Sequence, residues 1–305
     1  MIALASGISY IDLLFQDTPR VIATAVLSGP LGVALVDPGP TSSLGTLRAE
    51  LKRAGISIRD VTALLITHIH LDHSGSAGTL VRENPNLRVL VHANGAAHLV
   101  EPGRLIASAT RLYGDEMDRL WGEVAPVPAA ALVVLQGGER VEEGGRSLEV
   151  AYTPGHAAHH VSYFAPDAGI AFVGDTAGVK VVPDGDVWPP TPPPDVDLEG
   201  WDDGLARIER WRPESLFLTH FGPAGAPNRH ISTLRDRLQT ASSLVKASLA
   251  REDTDAAREA WFVEECRRLL RQRLSDTEAR VYEVAGRFDL NWRGLARYWR
   301  KRGVS

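Results

Sequence analysis

Three histidines and an aspartate within six consecutive residues are the most chemically informative feature of the chain. Residues 68–73 read HIHLDH. Imidazole nitrogens and carboxylate oxygens suit Zn²⁺, Fe or Mn²⁺, and no cysteine lies nearby to suggest a purely structural zinc site. If the segment leaves a strand, His68 and His70 share one side. Asp72 and His73 then turn toward a second ion as the chain bends into a helix.

Six residues cannot enclose two ions, so further ligands are needed from elsewhere in the chain. His156, Asp175 and His220 each follow an apolar run, in the contexts TPGH, GDT and THFG. Glycine or proline near each residue permits the tight turn that would aim its side chain into a shared cleft. Alone, each would more often be a hydrogen-bonded turn residue. Together with the HIHLDH segment, they predict one metal centre.

Four stretches of the chain resemble the metallo-β-lactamase fold superfamily and are most similar to its glyoxalase II and lactonase branch. The stretches are TALLITHIHLDHSG, YTPGHAAHHVSYF, FVGDTAG and FLTHFG, in the family's order, and the resemblance covers about residues 5–222. The aspartate in HxHxDH and the absence of a cysteine ligand resemble the binuclear hydrolases rather than the true β-lactamases.

The resemblance implies a role for each histidine and aspartate of these stretches. His160 takes the place of a second histidine that such relatives often carry after the GH ligand, which implies an orienting role. His159 is expected to be a local packing or rim residue. From their positions in the sequence, His92 and His98 are expected to make ordinary polar contacts, and His230 is expected to begin the helical region. The implied ligands are His68, His70 and His156 for the first metal, Asp72, His73 and His220 for the second, and Asp175 as a bridge between them.

A pair of divalent ions, Zn²⁺ or else Fe or Mn²⁺, would provide the chemistry. Ions about 3.5–4 Å apart share a water molecule and lower its pKa from roughly 16 toward neutrality, so that a bridging hydroxide is available at pH 7. Asp175 would hold the ions together, and Asp72 would also relay a proton. We expect a binuclear hydrolase, since the sequence contains neither a G-x-S-x-G elbow nor a P-loop.

Three other functions use the same fold or the same residues. Persulfide dioxygenases share much of this ligand set but use a single iron, so metal identity and stoichiometry would distinguish them. A phosphodiesterase or nuclease of the same fold is a further alternative. A non-catalytic scaffold is disfavoured because none of the seven ligands is lost.

The substrate is less well determined by the sequence. The pocket wall is expected from the Pro-rich segment 183–197 and the helical segment 105–121, with Trp188, Trp121 and Tyr113 either contacting substrate or packing the wall. No arginine or lysine cluster is evident in these segments, which favours an uncharged ester, thioester or lactone. Lys180 is the exception, since it follows Asp175 closely enough to reach an anionic group.

The elements that would position these residues are short apolar runs separated by proline and glycine. Residues 61–66 form a continuous apolar run, typical of a strand buried on both faces. Strands in two groups with helices outside them predict an α/β fold, an αββα sandwich of the metallo-β-lactamase type. The other predicted strands are 8–14, 21–27, 33–36, 88–91, 132–135, 148–152, 161–164, 170–173 and, as the last, 215–218; helices are predicted at 43–54, 93–121 and 198–211.

Apolar residues at helical spacing dominate the chain after residue 230, which predicts a catalytic domain at 1–229 and a C-terminal helical region at 230–305. Residues 267–302 contain eleven lysines or arginines against four acidic residues. We interpret them as a solvated helix face with local ion pairs; an anionic partner is the alternative.

Composition sets the remaining expectations. The 305-residue chain is 44% hydrophobic and 23% charged, and its net charge of -5 argues against a general nucleic-acid binder. Cys266 is the only cysteine, which fits a reducing compartment. Residues 1–15 lack the charged start of a signal peptide, and no uncharged apolar run approaches the length needed to span a bilayer. We therefore expect a cytoplasmic protein with a small-molecule substrate and no membrane or nucleic-acid partner; a homo-oligomer remains open.

Overall fold

Two β-sheets form the centre of the computed structural model, which describes residues 1–183 and 185–304. The first sheet follows chain order: β1 (Ile2–Ala5), β2 (Ile8–Asp12), β3 (Ala23–Gly29), β4 (Gly32–Val36), β5 (Val61–Leu65), β6 (Arg88–His92) and β7 (Leu132–Leu135). The second sheet contains β8 (Arg140–Glu143), β9 (Arg146–Tyr152), β10 (Val161–Ala165), β11 (Ile170–Phe172), β12 (Ser215–Leu218) and β13 (Gly222–Ala224), in spatial order from β13 back to β8. Both sheets are mixed, with parallel pairing from β4 to β7 and between β11 and β12.

Helices cover the outer faces of both sheets. The helices between β4 and β7 are α1 (Leu44–Arg53), α2 (Leu71–Ser74), α3 (Ala77–Glu83), α4 (Ala93–Val100), α5 (Gly103–Tyr113) and α6 (Met117–Trp121). The later helices are α7 (Leu198–Trp211), α8 (Pro227–Leu249), α9 (Asp255–Arg271), α10 (Asp276–Gly286) and α11 (Phe288–Arg300). One apolar cluster joins the first sheet to α1, α3 and α6, and another joins the second sheet to α7 and α8. The αββα sandwich predicted from the sequence is confirmed.

The inner faces of the two sheets share one hydrophobic core. Ala25 and Leu65 of the first sheet and Tyr163 and Phe172 of the second belong to a single cluster and are fully buried. Burying this apolar surface is the main force that holds the sheets together.

The C-terminal helices extend this central core. Phe262 of α9 and Leu295 of α11 are fully buried in the same cluster as the sheet residues. A Cβ at Gly294 of α11 would lie 2.0 Å from the Thr191 carbonyl oxygen, so only glycine fits at this contact. Helix α8 begins at Pro227, three residues before the expected start of the helical region. The division of the chain at residues 229 and 230 stays a prediction.

The sequence analysis did not predict three of the strands, and each of them lies at the edge of a sheet: β1, β8 and β13. The expectation that residues 215–218 form the last strand is wrong, because β13 follows and pairs with them. Across residues 1–183 and 185–304, none of the helices combines the length and apolar character required to cross a membrane.

Candidate metal centre

The predicted ligands follow the C-terminal ends of four strands. His68 and His70 follow β5, Asp72 and His73 lie on the short helix α2 that comes next, and His156 follows β9. Asp175 follows β11 and His220 follows β12, which pair in parallel. Parallel strands end at the same edge of a sheet, so loops that are far apart in sequence meet there.

Three histidines form the first donor group. The His156 Nε2 atom lies 3.2 Å from His68 Nε2 and 2.9 Å from His70 Nδ1, and these last two atoms are 2.9 Å apart. Two nitrogens bound to one tetrahedral Zn²⁺ at about 2.1 Å would lie about 3.4 Å apart. The three nitrogens therefore converge at a spacing close to that of a shared cation.

Asp72, His73 and His220 form the second donor group. Asp72 Oδ2 lies 3.3 Å from His220 Nε2 and 3.8 Å from His73 Nε2. Both of these histidine nitrogens are buried and have no hydrogen-bond partner among the described residues. An unpaired polar atom in a protein interior is costly, so these two nitrogens favour a bound ligand.

The Asp175 carboxylate lies between the two donor groups. Its Oδ2 atom is 3.4 Å from His156 Nε2, whereas its Oδ1 atom is 3.4 Å from His73 Nε2 and 3.6 Å from His220 Nε2. Oδ1 is also buried without a hydrogen-bond partner among the described residues. One carboxylate oxygen thus faces each group, as a bridging ligand would.

Electrostatics prepare these side chains to bind cations. Burial, and then the neighbouring His156, lower the pKa of His70 to about 3, so its imidazole is neutral at pH 7. Burial tends to raise the pKa of the Asp175 carboxyl, but the imidazoles of His73 and His220 outweigh it and hold that pKa well below its usual range. Burial tends to lower the pKa values of His73 and His220, but the Asp175 carboxylate and its acidic neighbours outweigh it and raise both, so a cation at the second donor group would take the place of the protons on these rings.

The donor set and its unpaired atoms fit two divalent cations. Three groups of potential ligands have their donor atoms within 4.8 Å of one another: His68, His70 and His156; His68, His73 and Asp175; Asp72, His73 and His220. The structure thus brings together all seven residues singled out in the sequence. Nitrogen and oxygen donors without a thiolate are compatible with Zn²⁺, Fe and Mn²⁺.

Asp37 is a site residue that sequence analysis missed. Its carboxylate is fully buried and accepts hydrogen bonds from the Thr67 backbone N–H (2.8 Å), the Thr67 and Thr219 hydroxyls (2.7 Å each) and His73 Nδ1 (2.7 Å). It therefore fixes the ring that presents Nε2 to the second donor group. The sequence could have indicated it, because Asp37 directly follows the buried strand β4 and precedes Pro38 and Gly39, as the predicted ligands follow apolar runs near glycine or proline.

Backbone carbonyls orient two other histidines of the site. His156 Nδ1 donates to the Pro190 carbonyl at 2.8 Å, and His220 Nδ1 donates to the Val21 carbonyl at 2.6 Å. Each bond fixes the tautomer that leaves Nε2 free to face the donor groups. The Pro-rich segment 183–197 thus acts in the site through its backbone.

The remaining histidines lie outside the two donor groups. His160 accepts the Asp175 backbone N–H at its Nε2 atom over 3.3 Å, as expected of an orienting residue. His159 is buried, lines the cavity and accepts the Ile69 N–H at Nδ1 over 3.4 Å. His92 caps α4 by accepting the Asn94 N–H and stacks on Tyr152. His230 lies on α8 and donates to the Ala177 carbonyl.

A cavity of about 830 Å³ opens onto the donor groups. Trp121 stacks on Phe15 in its wall, and Tyr113 packs edge-on against Trp121. Trp188 instead is buried and packs against Phe288 of α11, so the alternative in which it packs the wall is the correct one.

The expectation of a wall without a basic cluster is wrong. Lys180 is not among the described residues that line the cavity, whereas five arginines are: Arg104, Arg111, Arg119, Arg280 and Arg287. They come from α5, α6 and the C-terminal helices, which are separate in sequence. Arg111 and Arg119 lie within the predicted wall segment 105–121, but Arg280 and Arg287 join them only through tertiary packing.

Comparison with known proteins adds a family assignment. A family model described as the metallo-beta-lactamase superfamily matches residues 17–220. A metallo-beta-lactamase fold-containing protein of Sulfurisphaera tokodaii is 28% identical over 208 residues, which cover 67% of this chain and 74% of that relative. A hydroxyacylglutathione hydrolase of Nostoc punctiforme is 30% identical over 173 residues, 55% of this chain; the chain spans only about half (49%) of that relative's length.

Solved structures agree with this assignment at the level of the fold. A metallo-beta-lactamase family protein from Thermus thermophilus superposes with a TM-score of 0.72 at 22% identity, over 99% of this chain and 95% of that one. At this identity the likeness concerns the fold alone.

Proposed function

Because this chain belongs to the metallo-β-lactamase superfamily, we propose that it is a hydrolase that holds two divalent cations and cleaves an ester, thioester or lactone. The single observation that carries this proposal is the position of Asp175. Its two carboxylate oxygens face different donor groups, and Oδ1 has no hydrogen-bond partner among the described residues. A single-ion site would leave the second group of buried donors unsatisfied.

The first cation would be held by the three histidines of the first donor group, and the second by Asp72, His73 and His220, with Asp175 shared. When bound, such a pair lowers the pKa of a water molecule and polarises the substrate oxygen, which makes hydrolysis possible near neutral pH. The donor chemistry is most compatible with Zn²⁺. The glyoxalase II-like relatives support a thioester among the candidate substrates.

Two residues that line the cavity would act on the substrate and on protons. The Asp72 side chain is 24% exposed and faces the cavity, so it can accept a proton and release it to the leaving group. Tyr113 lines the same cavity, and its hydroxyl makes no hydrogen bond with any described residue. Burial, and then the Asp72 carboxylate, raise the pKa of Tyr113 well above its ordinary value, so the phenol stays neutral and can donate to a substrate oxygen.

Metal content and a substrate panel test the proposal together. We expect two Zn²⁺ per purified chain and hydrolysis of at least one class among thioesters, esters and lactones. Asp72→Ala and His70→Ala should each lower turnover at least a hundredfold, about 3 kcal/mol, because they disturb metal and nucleophile together. His92→Gln, which lies outside both donor groups, is the matched control.

Other outcomes would point to the alternatives. A single iron per chain would favour a dioxygenase of the persulfide type, and activity confined to phosphodiesters would favour a nuclease-like enzyme. Wild-type turnover in both ligand variants would refute the metal mechanism altogether.

A further inference from the structure

Three arginines of the cavity wall have no charge partner among the described residues. Arg119 pairs with Glu116, and Arg287 pairs with Asp289. By contrast, the side chains of Arg104, Arg111 and Arg280 form no ion pair or hydrogen bond with any residue in the described ranges, although they line the same cavity. A guanidinium without an anion in a concave site is free to bind one from solution.

Two of these arginines lie on one face of α5. Arg104 and Arg111 are seven residues apart, which is about two helical turns and about 10.5 Å along the axis. Ser108, between them, lines the cavity as well. Arg280 comes from α10, whose Val281 and Ala285 pack against the apolar cluster that contains Trp121. Helices α5 and α10, which are distant in sequence, thus place unpaired guanidinium groups at the same cavity.

The surrounding acids do not neutralise this charge. Glu116 and Glu283 line the cavity but are paired with Arg119 and Arg267, whereas Asp195 forms no ion pair with an arginine or lysine among the described residues. The chain as a whole has a net charge of -5, which repels anions at a distance. Asp72 and Asp175 also line the cavity, but their carboxylates face the two donor groups, so the unpaired arginines remain a local source of positive charge for an anionic ligand.

The spacing of the guanidinium groups favours phosphate. A single carboxylate carries one charge and cannot engage both Arg104 and Arg111, which lie about two helical turns apart, together with Arg280 of a separate helix. A phosphoryl group carries up to about two negative charges and three acceptor oxygens, and arginine binds it in a bidentate manner. The cavity volume of about 830 Å³ is near the upper end for ligand pockets, so it also exceeds the needs of a short acyl group.

We propose that Arg104, Arg111 and Arg280 bind phosphoryl groups on the leaving portion of the substrate, which is an acyl thioester or ester of a phosphate-bearing carrier. This inference rests on the proposed hydrolase function and specifies its substrate class. In the reaction, the oxygen of water bonds to the acyl carbon and the carbon–sulfur or carbon–oxygen bond breaks. The carrier leaves as a thiol or alcohol after taking one proton of the water, and the acyl group leaves as a carboxylate with release of the other proton.

Matched thioesters isolate the contribution of the phosphates. Butyryl-coenzyme A and S-butyryl-N-acetylcysteamine share the reacting bond, but only the first carries phosphate; S-butyrylglutathione carries carboxylates instead. We expect kcat/KM for butyryl-coenzyme A to exceed that for the neutral thioester at least thirtyfold. Raising NaCl from 20 to 200 mM should lower the first value at least fivefold and leave the second unchanged.

The triple variant R104Q/R111Q/R280Q removes the three charges. It should abolish the preference for butyryl-coenzyme A and leave hydrolysis of the neutral thioester within twofold. The control is R210Q, which removes an exposed arginine of α7 that likewise has no partner among the described residues. Because all three cavity arginines are exposed, the triple variant should keep the melting temperature of the wild type.

A binding measurement separates failure of this inference from failure of the proposed function. If no thioester, ester or lactone is hydrolysed, the hydrolase proposal fails, but equilibrium dialysis with coenzyme A still tests the arginines. Binding that weakens at least tenfold in the triple variant would support the phosphate site, and absence of binding to the wild type would overturn it. An equal preference for S-butyrylglutathione, or equal kcat/KM for the charged and neutral thioesters, would also overturn it.

Discussion

The Asp37 carboxylate accepts hydrogen bonds from Thr67, Thr219 and His73, and so ties the strand ends after β5 and β12 to the ring of a metal-facing histidine. Its backbone has a positive φ of 50°, which aspartate tolerates better than most residues. The geometry of the site therefore depends on a residue that contributes no donor atom to either group and acts by orienting His73.

Asp37→Asn should lower metal affinity and activity by about tenfold to a hundredfold. The amide keeps the shape of the side chain but replaces one acceptor oxygen with a donor, so that one hydroxyl or ring N–H loses its partner. Titration of the demetallated protein with Zn²⁺ and steady-state kinetics would measure the effect. Glu143→Gln, which changes another buried carboxylate far from the site, should leave both quantities unchanged.

Tyr113→Phe should reduce kcat about a hundredfold and leave the metal content at the wild-type value. The substitution removes one hydrogen-bond donor from the cavity and retains the ring that packs against Trp121, and loss of such a donor typically costs about 10²–10³ in kcat. Elemental analysis and turnover of the best substrate would measure the two effects. An unchanged kcat would exclude the hydroxyl from substrate contact.

The seven donor residues could be identified from the sequence because each lies within a short local pattern at the end of an apolar run. Asp37 lies in a comparable position after β4, but a single aspartate before Pro-Gly is common in turns, and its role depends on partners 30 and 182 residues away. The arginines of the cavity could not be predicted, because only tertiary packing brings α5 and α10 together.

At the scale of elements, burial determined which strands could be recognised. All of the interior strands were predicted, and each of them contains at least two buried apolar residues. The missed strands β1, β8 and β13 are edge strands, and β8 reads RVEE, with exposed or partly exposed residues at its first three positions. Edge strands pair on one side only and often carry charge, so their sequences lack the pattern that identifies a strand.

Helix α8 is joined to the loop after β11 through His230, which donates to the Ala177 carbonyl at 2.7 Å. Burial lowers the pKa of His230 to about 4 in the folded protein, compared with about 6.5 when unfolded. Between these values only the unfolded chain binds the proton. This histidine therefore stabilises the fold above pH 6.5, and its contribution is lost as the pH falls toward 4.

The unfolding free energy of the His230→Gln variant should therefore depend less on pH, between pH 4 and pH 7, than that of the wild type. The unfolding free energy of the wild type minus that of the variant should fall by about 3 kcal/mol from pH 7 to pH 4, because only the wild type contains this histidine. Denaturant unfolding of both proteins at several pH values measures this difference, in which the other titrating groups cancel. A difference that does not change with pH would mean that His230 stays accessible to protons in the folded state.

At the scale of the whole molecule, cation binding and folding are linked, because the donor groups gather loops from four strand ends. At a free metal concentration a thousandfold above Kd, a bound cation adds about 4 kcal/mol to stability. Chelation followed by dialysis should therefore lower Tm by about 10 °C. Calorimetry before and after the addition of Zn²⁺ should show full recovery; equal Tm values would contradict a metal-stabilised site.

The C-terminal helices should be required for folding of the rest of the chain. Residues 1–229 expressed alone would expose the central core against which Phe262, Trp292 and Leu295 pack. We expect this fragment to bind a hydrophobic dye and to lack a cooperative thermal transition. A sharp transition in the fragment would instead establish residues 1–229 as an independent domain.

The donor groups lie at strand ends and on α2, whereas the unpaired arginines lie on α5 and α10. Positions 104, 111 and 280 can accordingly be randomised in a search for activity on a different leaving group, because none of the seven donor residues lies on α5 or α10. Laboratory libraries confined to those two helices would explore new specificities with little risk of losing the chemistry itself.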